Sequence, residues 1–152
     1  CALIQMRPGK QADCGCLEWL AFASNAFNVL APFYADVEET PEYLANTTGE
    51  VSTDNFYWTS RMIAAMADAS YSKSLIHVER CQEQVAAKSY ELLNRYDALL
   101  EKEADTAARK ALRQEANRAV ADMVKKELAG TLDKVLYELS GQMKNAYSRS
   151  DA

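Results

Sequence analysis

Residues 27–34 read FNVLAPFY, and this stretch decides the fold class. In an extended chain, side chains alternate between the two faces of a sheet. One face would carry Phe27, Val29, Ala31 and Phe33, and the other Asn28, Leu30, Pro32 and Tyr34. Because both faces are largely apolar, the pattern predicts a sheet covered on both sides. Pro32 cannot donate a backbone hydrogen bond and therefore predicts an edge strand or a bulge.

Two further strands are predicted before this stretch. The apolar run Cys1–Met6 ends at the turn sequence RPGK, and the run Cys16–Ala23 ends at a Ser24–Asn25 turn. A small sheet that is apolar on both faces needs more strands beside it and another layer behind it. We therefore expect an amino-terminal part of the protein to be missing, and a first residue that is Cys1 rather than Met supports this expectation.

The remainder of the chain is predicted to be helical. We expect one carboxy-terminal fragment with strands at 1–35, a loop with a short helical turn at 36–54, and helices at 55–152. In the loop, Thr40 would cap the helical turn and Pro41 would open it. The later boundaries are a cap at Thr53 or Asp54 before a helix at 55–69, a cap at Asp105 or Thr106, and a break at Gly130–Thr131.

Composition excludes several classes of function. The net charge of -5 and the lack of a basic stripe argue against nucleic-acid binding, and no apolar run is long enough for a membrane span. The single histidine, His77, leaves no ligand set for a metal. Cys14 and Cys16 are separated by one residue, whereas zinc and redox pairs leave two. We expect free, reduced cysteines in a cytoplasmic protein.

Cys1 is the first candidate for catalysis. An amino-terminal cysteine can use its own α-amino group as the base, and Cys1 precedes a strand-like run as such a nucleophile should. The alternative is that Cys1 is an ordinary residue of an internal strand. We favour this second interpretation, and it leaves no catalytic residue assigned in the chain.

Three further polar residues, His77, Asn25 and Asn28, also have a non-catalytic interpretation. His77 follows Ser74 by three residues and precedes Cys81 by four, so the three can share a helix face, but nothing nearby would orient a triad. Ordinary packing is the favoured interpretation. Asn25 and Asn28 could stabilise an oxyanion, yet asparagine is also a common turn residue.

A dense polar and aromatic cluster marks the start of the first long helix, at Asp54, Asn55, Tyr57, Trp58 and Arg61. One interpretation is a substrate-facing rim, because a helix N-terminus attracts carboxylates and an arginine can bind one with two hydrogen bonds. The favoured interpretation is a capping segment with the arginine in a salt bridge. Substrate-binding residues therefore stay unassigned.

Several motifs resemble the dipeptidase A family of lactic acid bacteria and their relatives. They are LEWLAFASNAFN at 17–28, PFYA at 32–35, VSTDNFYW at 51–58 and RMIAAMAD at 61–68, with IQMRP at 4–8 before them. The resemblance is good from Ala2 to about Tyr71, and beyond that only a helical tail of suitable length matches. It covers the carboxy-terminal portion of the family's sequence only.

The resemblance implies a cysteine-dependent N-terminal-nucleophile hydrolase with an αββα sandwich, of which this chain gives a few antiparallel strands and a helical layer. It also implies hydrolysis of dipeptides without a metal or cofactor. Since the family's nucleophile lies far upstream, we expect the chain alone to be inactive. The expected partners are the dipeptide and the missing amino-terminal part, with a homo-oligomer possible and neither nucleic acid nor membrane. A non-catalytic helical interaction module and a small hydrolase using Cys1 stay open.

Overall fold

The computed structural model describes residues 1–23 and 26–143, and it shows strands followed by helices. The described elements are β1 (Ala2–Met6), a 3-10 turn (Ala12–Cys14), β2 (Cys16–Leu20), β3 (Ala31–Tyr34), α1 (Glu42–Ala45), α2 (Phe56–Ala69), α3 (Tyr71–Leu100) and α4 (Thr106–Ser140). The predicted α+β class is confirmed. No helix in the described ranges combines the length and the apolar character that crossing a membrane requires.

The three strands form one antiparallel sheet in the order β1-β2-β3. Ile4 pairs with Glu18 across the first ladder, and Glu18 pairs with Phe33 across the second. The third strand is shorter than predicted, because residues 27–30 form a turn and a loop. Val29 still reaches the core, at 1% exposure.

Both faces of β3 are covered, as its alternating pattern predicts, and all four of its residues are buried. Phe33 and Ala31 pack into a cluster with α2, α3 and α4. Tyr34 joins a second cluster on the opposite face with Leu17 and Trp19 of β2, together with residues from the end of α3 and the start of α4. The long helices therefore reach both faces of this strand.

The outer edge of β3 is closed by α4. Ala35 donates to the carbonyl of Cys16, so the alternation of antiparallel bonds turns the backbone of Tyr34 away from β2. The buried Asn117 side chain accepts from the Tyr34 amide at 2.8 Å and donates to the Tyr34 carbonyl at 3.0 Å. Pro32 also faces outward and has no amide to satisfy. The edge position predicted for Pro32 is confirmed.

The outer edge of β1 has no partner strand among the described residues. Cys1 and Ala21 exchange two backbone hydrogen bonds, of 2.8 and 2.9 Å, which directs the backbone groups of Ala2, Ile4 and Met6 away from β2. Every residue of β1 is exposed, including Ile4 at 69% and Met6 at 70%. An apolar strand exposed at its edge and on both faces invites pairing with another strand.

Helix α4 runs without interruption through the predicted break at Gly130–Thr131, so that prediction is wrong. A glycine inside a helix costs only about 1 kcal/mol relative to alanine, and packing on both sides outweighs it. Leu128 and Val135 are buried on the same side of the helix as Thr131. The Thr131 hydroxyl donates to the Glu127 carbonyl one turn earlier, at 2.9 Å, which removes the need for another partner.

The turn joining β1 to β2 is anchored to the helices by buried charges. Asp13 accepts hydrogen bonds from Arg109, with Nε and Nη2 distances of 2.8 and 2.7 Å, and is also paired with Arg113. Both arginine side chains are almost fully buried. On the other side of the turn, Arg7 pairs with Asp97 of α3 at 2.7 Å.

Candidate functional site

A groove lies between the acidic segment, residues 36–54, and α4. Its volume is about 1080 Å³. Its walls are Glu39, Thr40, Pro41, Glu42, Tyr43, Ala45, Asn46 and Asp54 on one side, and Arg118, Ala121, Asp122 and Lys125 on the other. The lining carries both signs of charge.

Ion pairs fasten the acidic segment across this groove. Arg118 lies 2.7 Å from Glu39, and Lys125 lies 3.1 Å from Asp54. All four side chains are largely exposed, so each pair contributes about 0–1 kcal/mol and is weakened by salt. These two pairs therefore add little to the attachment of the segment, which the buried Tyr43 secures by packing in the core.

Tyr43 forms the rigid part of the groove wall. Its ring stacks on Phe56, with centroids 5.9 Å apart and planes at 10°, and the Lys125 ammonium lies 5.8 Å from the ring centroid. Burial raises the pKa of Tyr43 to about 12. The phenol is thus neutral at physiological pH, and among the described residues its hydroxyl has no hydrogen-bond partner.

The polar cluster at the start of α2 is a capping segment. The cap is Asn55, whose side chain accepts from the Trp58 amide at 2.8 Å, and not Asp54 or Thr53 as predicted. Trp58 donates its indole N–H to the Thr48 carbonyl at 2.9 Å, which ties the acidic segment to α2. The favoured interpretation therefore holds for the cap.

Arg61 does not form the predicted salt bridge among the described residues. Its guanidinium lies 3.4 Å from the Tyr57 hydroxyl and points along the exposed side of α2. Within residues 1–23 and 26–143 it makes no ion pair. Asp54, which could have been its partner, pairs instead with Lys125 of α4.

The turn at α1 also differs by one residue from its predicted start. Pro41 is the N-cap of α1 with an extended backbone, and Glu42 is the first helical residue, so Thr40 makes no cap. The carbonyl of Pro41 accepts from Leu44 and Ala45. Proline suits this position because it has no amide that needs a partner.

Cys1 begins an antiparallel edge strand and is exposed. Its α-amino group donates to the Ala21 carbonyl at 2.8 Å, the bond that a peptide N–H would make at the same place in the ladder. The amine therefore takes the place of a backbone N–H in the β1–β2 ladder. The interpretation of Cys1 as an internal strand residue stays a prediction.

His77 and Cys81 do not form a reactive pair. The His77 Nε2 atom lies 3.5 Å from a Glu138 carboxylate oxygen of α4, and the Cys81 sulfur lies 3.8 Å from the Glu127 carbonyl. Burial raises the pKa of Cys81, which keeps the thiol protonated and unreactive. Ser74 is fully buried beside them. The partner Glu138 lies 61 positions from His77, and no local spacing predicts it.

The two asparagines considered for an oxyanion site are Asn25 and Asn28. Asn25 lies outside the described residues. Asn28 is buried and donates its side-chain amide to the Phe22 carbonyl, while the Asn28 backbone carbonyl accepts from the Gln82 side chain of α3 at 2.9 Å. In this arrangement Asn28 holds the β2–β3 loop against α3, and its amide is already used.

A smaller cavity of about 280 Å³ lies at the β1–β2 turn, beside Cys14 and Arg109. Arg109 directs its donors to Asp13 and to the Leu100 and Glu103 carbonyls, and one reaches the Cys14 sulfur at 3.8 Å. The guanidinium has no donor left for an anion, so this cavity is part of the anchor. In the described part of the chain, no group of three metal-binding side chains is placed to hold an ion.

Comparison with known proteins gives the family. The model of peptidase family C69 matches residues 1–84. A probable dipeptidase A from Streptococcus pyogenes serotype M3 is 36% identical over 150 residues, covering 99% of this chain and 31% of the relative. A dipeptidase from Bifidobacterium longum is 32% identical over 187 residues, covering 99% and 35%. A probable dipeptidase B from Lactococcus lactis is 28% identical, covering 98% and 31%.

These matches define a peptidase-family protein, and the chain belongs to peptidase family C69. The resemblance read from residues 17–28 and 51–58 is confirmed. It also extends further than the sequence motifs indicate, because the relatives match nearly the whole chain, including the helices beyond Tyr71. The chain spans about a third of the length of these curated relatives.

Proposed function

We propose that this chain is the carboxy-terminal portion of a dipeptidase that cleaves dipeptides through a cysteine acyl-enzyme. The observation that carries the proposal is the match of 99% of the chain to proteins named dipeptidase. We assign the nucleophile to a part of the intact protein that lies upstream of this chain. The open edge and exposed faces of β1 support this assignment, because they need neighbours that the described residues do not supply.

The chemistry proposed for the intact enzyme is acyl transfer. The upstream cysteine thiolate attacks the peptide carbonyl carbon, the C–N bond breaks, and the amino acid leaves with a proton carried by the enzyme's α-amino group. Water then attacks the thioester, the C–S bond breaks, and the second amino acid is released. These two reaction steps balance in atoms and electrons without a metal or an oxidant.

The cysteines of this chain are poorly suited to that role. Cys14 and Cys81 are buried, and Cys1 has its amine in the β1–β2 ladder. Cys16 lies within β2, opposite Met6. All four are free thiols, which supports placing the protein in the reducing cytoplasm. We propose dipeptides as its substrates and assign it no nucleic-acid or membrane partner.

The test is dipeptide cleavage by two proteins, the 152-residue chain and the intact protein encoded by the continuous reading frame. Unblocked dipeptides are incubated with each, and released amino acids are quantified. We expect cleavage by the intact protein only. Exchange of its upstream nucleophile for serine should abolish cleavage, whereas Cys1→Ser should preserve it. Cleavage by the chain alone that Cys1→Ser removes would instead identify Cys1 as the nucleophile.

A further inference from the structure

We draw no further inference here: the strongest candidate, the groove between the acidic segment and α4, carries charges of both signs, several of them already paired with one another across it, and nothing in the structure shows what it would bind.

Discussion

β3 and β1 are the two outer strands of one sheet, but only β3 has its outward backbone groups satisfied within the described chain. An amide from α4, Asn117, takes the place of a neighbouring strand at Tyr34. At β1 no described residue takes that place, and Ile4 and Met6 are exposed to solvent. A side-chain cap blocks further strand pairing, whereas an uncapped apolar strand leaves its backbone groups open to it.

The exposed strand nevertheless keeps its position because its turn is anchored. Asp13→Ala would leave Arg109 and Arg113 buried without their shared carboxylate, and we expect a loss of about 3–5 kcal/mol in unfolding free energy. Urea unfolding followed by circular dichroism measures it. The control is Glu39→Ala, which breaks the exposed pair with Arg118 and should cost about 0–1 kcal/mol. Similar losses in the two variants would show that Asp13 is not an anchor.

Substitution at the β3 edge should have the next largest effect on the free energy of unfolding. Asn117→Ala leaves the amide and the carbonyl of Tyr34 buried without partners, so we expect a loss of about 2–4 kcal/mol. Asn94→Ala on the exposed side of α3 is the control and should be nearly neutral. If Asn117→Ala is as mild as its control, the β3 edge is not held by this amide.

Acid should weaken the anchor of β1 before it affects the cap of β3. The hydrogen bond from Arg109 lowers the pKa of Asp13, with Arg113 contributing by charge. Its stabilisation is complete above the usual carboxyl pKa of about 3.9 and is lost as the pH falls through the lower folded value. Unfolding free energy measured from pH 7 to pH 3 should therefore fall more in the unmodified chain than in Asp13→Asn. Parallel curves would contradict this.

The smallest effect is expected at the open edge. Met6→Lys in the 152-residue chain replaces a side chain that is 70% exposed, so its unfolding free energy should change by less than about 0.5 kcal/mol. Urea unfolding of the variant measures this. A loss comparable to that of Asn117→Ala would show that β1 is covered in the chain after all.

Local pattern was enough to predict the strands and most of the helix ends. The alternation at 31–34, the edge position of Pro32 and the cap at Asp105, which accepts from Ala108 at 2.8 Å, are all properties of neighbouring residues. The helix break predicted at Gly130 does not occur, because α4 continues through it. There a weak local preference is overridden by packing, which the sequence of one segment does not reveal.

The contacts that close and anchor the sheet could not be predicted in this way. Asn117 lies 83 positions from Tyr34, and Arg109 lies 96 from Asp13. Each of these side chains has an ordinary explanation on an exposed helix, and only the fold reveals that they are buried. The same holds for the groove beneath the acidic segment, whose two walls are more than 60 positions apart.

Residue-resolved amide hydrogen exchange of the 152-residue chain tests the difference between the two edges most directly. We predict slow exchange at Tyr34, whose amide is bonded to Asn117, and fast exchange at Ile4, with Leu3 and Gln5 slower than Ile4 because their amides face β2. An Ile4 amide as slow as that of Tyr34 in dilute solution would contradict an open β1 edge, and with it the structural support for a missing neighbour.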